Sequence, residues 1–295
     1  MKIPGDRELA YPRVCAHRGF NMAAPENTLS AFMLAVSLGA PEIELDLWPS
    51  KDGHLVVCHD VRVDRTTDGS GLIPEMTASE IKRLDAGSWF SPSFRNTRIP
   101  LFEEVLDMAG GRTVMNIHIK SPLRNKADSE KMRLRGSDLS RRHRCHEELM
   151  PPLPEGIEEI LPEVEQRPVE PYDPKTFQKI LDLLDCFGCR DHAYITGEAD
   201  VLMTAREMAP DMTRCCLEGH MNFTIVEHAL EYGCGKVQFC KGLTTHKMID
   251  RAHDNGLICN LFWADTPEEA QAYLDIGIDC VLTNNFQPVN SAVIK

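Results

Sequence analysis

The chain has 295 residues, of which 42% are hydrophobic, and carries 45 Asp and Glu against 32 Lys and Arg, a formal charge of −13. That length suits a single α/β barrel with a sizeable core. The acidic balance argues against nonspecific nucleic-acid binding and docking on anionic membranes, so a small anionic substrate needs a local cationic site.

Apolar, β-branched runs alternate with amphipathic stretches along most of the chain, the pattern of an α/β protein. Strands are expected at Val14–His17, Glu42–Leu47, His54–Cys58, Thr113–Ile119, His192–Ile195, Thr213–Leu217, Lys236–Cys240, Leu257–Phe262 and Cys280–Thr283. Helices are expected at Thr28–Leu38, Pro174–Phe187, Ala199–Met208, Phe223–Tyr232, Thr244–Asp254 and Pro267–Ile276. Only Trp48 to Gly53 separate the second strand from the third, enough for a hairpin but not for a parallel crossover. Eight parallel strands then remain, and the expected architecture is a (β/α)8 TIM barrel in one domain, 1–295. Two stretches interrupt the alternation. Residues 60–112 read as a loop or cap insertion with one short helix, Thr77–Leu84. Residues 121–173, basic up to His146 and acidic and Pro-rich beyond it, read as a lid-like or flexible insertion after the barrel's third strand.

No apolar run reaches transmembrane length and Met1 to Glu8 hold no apolar h-region, so the sequence predicts no signal peptide, no stable membrane insertion and a cytoplasmic location. Eleven cysteines, many inside apolar runs, read as buried free thiols rather than a disulfide framework.

Barrel active sites sit at the C-terminal strand ends. His17 ends the first strand, Glu44 and Asp46 the second, and His118 and Lys120 the third, while His59 closes the hairpin that rises from the second. Residues i and i+2 of a strand share a face, so Glu44 and Asp46 point together toward the axis while Ile43, Leu45 and Leu47 face the helices. Inward acids in a strand covered on both faces need a partner, and a divalent cation suits them. Two imidazoles can pass protons near neutral pH. With Lys120 as a phosphate contact, the set reads as a metal-assisted phosphodiesterase.

Ala16-His17-Arg18-Gly19, Pro25-Glu26-Asn27-Thr28, Ile43-Glu44-Leu45-Asp46, Lys51-Asp52-Gly53, His59-Asp60 and Arg65-Thr66-Thr67-Asp68-Gly69 together resemble the glycerophosphodiester phosphodiesterase family, of the PLC-like TIM-barrel type. The likeness is dense over residues 14–71, continues thinly through Ile99–Leu106 and Asn116–Lys120, and returns at Thr266–Ala270 and Gly277–Thr283. It implies that His17 and His59 are the paired acid and base and that Glu44 and Asp46 hold a divalent ion, Ca²⁺ or Mg²⁺. It further implies that Arg18 and Lys120 contact phosphate, with Phe262 and Trp263 near the substrate, and that the products are glycerol-3-phosphate and an alcohol. The family usually has Glu where His118 stands as the third metal ligand. Imidazole in that place shifts the preference toward Mn²⁺ or Zn²⁺. The alternatives are a lyase or hydrolase for a bulkier diester, and a non-catalytic binding module with a weakened metal site. Oligomeric state is not legible.

Overall fold

The computed structural model describes residues 3–121, 169–220 and 223–293; apart from its two ends, the lid expected at 121–173 lies outside them. In chain order the elements are β1 (Arg13–His17), α1 (Leu29–Ser37), β2 (Glu42–Pro49), β3 (Leu55–Val57), α2 (Ala78–Ile81), α3 (Phe102–Ala109), β4 (Val114–Ile119), α4 (Pro174–Cys186) and β5 (Ala193–Gly197). There follow α5 (Ala199–Met208), β6 (Arg214–Cys216), α6 (Ile225–Glu231), β7 (Lys236–Cys240), α7 (His246–Asp254), β8 (Ile258–Phe262), α8 (Pro267–Asp275), β9 (Cys280–Thr283) and α9 (Phe286–Val293). Several helices start where a side-chain oxygen accepts a free N–H of the first turn, as Thr28, Asp173, Thr245 and Thr266 do.

Eight parallel strands close on themselves among the described residues, because β1 pairs with both β2 and β9. The ninth, β3, pairs antiparallel with the far end of β2 through Leu47↔Val57, Trp48↔Val56 and Pro49↔Leu55, as the short connection requires. The fold is the expected TIM barrel. Its main apolar core lies between strands and helices, where Ile43, Leu45 and Leu47 pack with Phe32, Phe102, Val105 and Leu106.

The axis is polar instead. At mid-height Thr196 donates to Asn116, and Asn116 donates to Gln238 across the barrel at 2.8 Å. At the N-terminal end, the segment before β1 runs beneath the strands and is tied to Gly111 and Asp191. There the Arg13 guanidinium meets Asp6 at 2.7 Å and Glu42 at 3.2 Å. Lys236 meets Asp6 at 2.7 Å and lies over the Tyr194 ring, and the Tyr194 hydroxyl donates to Glu42.

Within residues 60–112 the structure is more regular than expected. The helix expected at Thr77–Leu84 is one turn, Ala78–Ile81, held by a capping box between Thr77 and Glu80. The stretch also holds α3, the crossover helix that lets β2 and β4 run parallel. Before α3, a small cap has its own core of Trp48, Val56, Cys58, Val63, Ile73, Ile81, Ala86 and Ile99. Asp85 organises one of its loops by accepting from the N–H groups of Gly87, Ser88 and Asn96 and from the Ser88 hydroxyl. The final helix, α9, was likewise not expected; Phe286 and Val289 bury it against the barrel.

Candidate active site

At the C-terminal end of the barrel, β1 stops at His17 and the backbone turns sharply. Arg18 has φ 56° and Gly19 φ 79°. A Cβ at Gly19 would lie 2.6 Å from the carbonyl carbon of Ala31, so only glycine fits. This turn aims the Arg18 N–H at Glu44 Oε2, 3.0 Å away. Arg18 also pairs through Nη1 with Glu26 at 2.9 Å, and its Nε lies 3.7 Å from Asp46.

The β2–β4 register sets Glu44 opposite Asn116 and Asp46 opposite His118. Both acids are buried and face the axis, as the alternation predicts. Asp46 Oδ2 accepts from Asn27 Nδ2 at 2.8 Å, and its Oδ1 stands 2.9 Å from Lys120 Nζ and 3.3 Å from His118 Nδ1. Lys120 Nζ is also 2.9 Å from His118 Nδ1. The two acids therefore differ electrically. Burial alone would raise the Asp46 carboxyl, but Lys120, His59, His118 and Arg18 overcome it and hold the group well below the usual range. For Glu44, burial and the neighbouring Asp46 prevail over Arg18 and Lys120 and push it up to about 8.

Both expected acid–base histidines have one ring nitrogen anchored. His17 Nδ1 lies 2.8 Å from Asn284 Oδ1. The Asn284 amide is oriented by its own donation to Asp265 at 2.9 Å, and Oδ1 also accepts from Asn21. The amide oxygen therefore faces the ring, so His17 Nδ1 carries the proton and Nε2, 3.9 Å from Glu44, presents a lone pair. His59 Nδ1 lies 2.6 Å from Asp60 Oδ1, which fixes the same tautomer. Burial, reinforced by Arg18, lowers His17 to about 3; burial lowers His59 as well. His118 falls to about 3 through burial and Lys120. Burial therefore favours the neutral form of all three rings.

Glu44, Asp46 and His118 each offer a ligand atom, all within 4.8 Å of one another. Two carboxylates and a neutral imidazole suit a divalent cation, and a buried acid raised by its neighbour is one that added positive charge would relieve. The residues present fit such an ion.

Trp263 stacks on His17 with centroids 5.6 Å apart, and Phe262, joined to it by a cis peptide bond, turns its ring to His220. All nine residues singled out from the sequence thus lie at this end of the barrel. The sequence reading did not single out Asn27, Asn284 and Asp265, which orient Asp46 and His17. Their signal was position, since each follows a strand end or sits in a turn beside one.

Residues 17–147 match the Glycerophosphoryl diester phosphodiesterase family. A glycerophosphodiester phosphodiesterase of Caldanaerobacter subterraneus subsp. tengcongensis is 51% identical over 109 residues, 37% of this chain and 45% of that protein. One from Bacillus subtilis is 43% identical over 115 residues, 36% of this chain and 39% of its own length. The chain thus spans less than half the length of these relatives. Among solved structures, an Oleispira antarctica phosphodiesterase in complex with the product sn-glycerol-3-phosphate is similar with TM-score 0.72 at 21% identity, covering 97% of this chain and 98% of that one. A glycerophosphodiester phosphodiesterase of Agrobacterium tumefaciens gives 0.67 at 21% identity, with 95% and 99% covered. The likeness to the glycerophosphoryl diester phosphodiesterase family therefore lies in residues 17–147, and the barrel as a whole shares the fold of those structures.

Proposed function

We propose that the protein hydrolyses a glycerophosphodiester to glycerol-3-phosphate and an alcohol by two-histidine acid–base catalysis with a divalent ion. One observation carries this reading above the others: His17 and His59 each have Nδ1 anchored, by Asn284 and by Asp60, which leaves Nε2 for proton transfer, with His17 near Glu44 and His59 in the field of Asp46.

When bound by Glu44, Asp46 and His118, a divalent cation supplies neutralisation of the phosphoryl oxygens and of the charge that builds in the transition state. Lys120 and Arg18 add fixed positive charge at the rim of the acid pair. One histidine Nε2 takes the proton of the attacking water, and the other, which must enter the step protonated, gives its proton to the leaving oxygen; where a neighbouring substrate hydroxyl attacks first, water then opens the cyclic phosphate. We assign His17 as base and His59 as acid. Asn284 and Asp60 keep each ring in the required tautomer and stabilise its protonated form. Trp263, stacked on His17, walls one side of the ring. The relatives' names and the product held by the Oleispira neighbour support the substrate class. The ion is Mg²⁺ or Ca²⁺ if the family pattern prevails, and Mn²⁺ or Zn²⁺ if His118 sets the preference.

The test is phosphorus NMR of glycerophosphocholine and related diesters incubated with chelator, Ca²⁺, Mg²⁺, Mn²⁺ and Zn²⁺ in turn. Glycerol-3-phosphate appearing only with a cation supports the reading. A stable cyclic phosphate would reassign the protein as a lyase, and ligand binding without turnover would make it a binding module.

A further inference from the structure

The site contains an ion bridge that acid–base catalysis does not itself require. Arg65, in the cap, donates from Nη1 and Nη2 to the two oxygens of Glu26, each at 2.8 Å, and from Nε to Asp60 Oδ2 at 2.5 Å. Asp60 holds His59 through its other oxygen at 2.6 Å. Glu26, in the turn after β1, also accepts from Arg18 at 2.9 Å. One guanidinium thus joins the segment bearing His59 to the one bearing His17 and Arg18.

We propose that Arg65 and Glu26 are positioning residues that fix the spacing of the two catalytic histidines; the catalytic part of the claim rests on the function proposed above. Three features separate this bridge from an ordinary surface pair. Exposed ion pairs contribute little because two mobile side chains must be held together. Here the fork is bidentate to one carboxylate and shared with a second, which fixes direction as well as distance. Glu26 is only 13% exposed, although the Arg65 side chain that it holds is 45% exposed. Finally, the cap is held by its own apolar core, so it does not need Arg65 in order to fold. What Arg65 adds is the relation between cap and barrel turn. A displacement of about 1 Å at a reacting group can lower the rate by about 10²-fold.

The test compares wild type with Arg65→Ala, Arg65→Lys and Glu26→Gln, measuring kcat and KM separately, thermal midpoints, and the imidazole nitrogen resonances of His59. Arg65→Ala is expected to lower kcat by about 10²-fold with KM within about threefold and an unchanged midpoint. Arg65→Lys should recover little, because an ammonium cannot span both carboxylates. Added guanidinium should restore part of the Arg65→Ala rate, and Glu26→Gln should lower kcat in the same sense. In Arg65→Ala the His59 Nδ1 resonance should shift. A kcat within twofold of wild type with an unmoved His59 resonance overturns the proposal, as does a loss of kcat that merely follows a loss of folded protein. Should the wild type turn over no glycerophosphodiester, the functional reading fails, while the His59 resonance still decides whether the bridge positions that ring.

Discussion

The two ends of the barrel axis hold the same kinds of residue and treat them oppositely. At the N-terminal end Asp6 and Glu42 face Arg13 and Lys236, and Tyr194 and the backbone carbonyls of Asp6 and Leu9 take up what remains. At the C-terminal end Asp46 has Lys120 at 2.9 Å and the Arg18 Nε at 3.7 Å, whereas Glu44 has one backbone N–H and an imidazole 3.9 Å away. Buried charge that is fully paired holds a structure together; buried charge left short of a partner is where a ligand belongs. The balance within each cluster, more than its burial, separates the plug from the site.

The sharpest way to break this comparison is to remove a proposed proton carrier. His17→Ala should lower turnover by about 10²–10⁴-fold while the urea midpoint stays near wild type; a steady-state assay beside a urea titration checks both. Next in size is Arg13→Met at the other end, which strands Asp6 and Glu42 beside Lys236 alone. A cost of about 3–5 kcal/mol is expected from denaturation, with turnover per folded molecule unchanged. If Arg13→Met instead spared stability and abolished turnover, the two ends would have been misread.

Smaller effects belong to the cap. Asp85 accepts several N–H donors, which hold its carboxyl well below the usual range. A depressed acid contributes stability above its unfolded pKa and loses it as pH falls through its folded one. Asp85→Asn should therefore be less stable than wild type by about 1–2 kcal/mol at neutral pH, and the gap should close as the solution is acidified below the ordinary carboxylate range. Thr77→Ala, which removes the capping box, should cost about 1 kcal/mol by the same denaturation. A cap that unfolded with the barrel in every case would show that it is no separate unit.

How much of this was legible followed from the range of the interactions. The acids of β2 were readable because alternation with Ile43, Leu45 and Leu47 fixes the face of every residue once one face is apolar. The hairpin was readable because a six-residue link forbids a parallel crossover. Helix α3 went unread because it is short and its apolar positions, Phe102, Val105, Leu106 and Ala109, follow a turn-rich stretch. The plug was illegible for another reason: Asp6, Glu42 and Lys236 are far apart in the chain, and no local pattern pairs them. The role of Asn284 was illegible for the same reason, since its hold on His17 crosses 267 positions of sequence.

The central claim is that Glu44, held by a backbone N–H and near an imidazole, completes with Asp46 and His118 a site that takes a divalent ion. Calorimetric titration of Mn²⁺ into chelator-treated wild type and Glu44→Gln tests it most directly. The account predicts one ion bound by the wild type, and loss of that binding in Glu44→Gln without loss of fold. Equal binding by the two proteins, or none by the wild type, would contradict it.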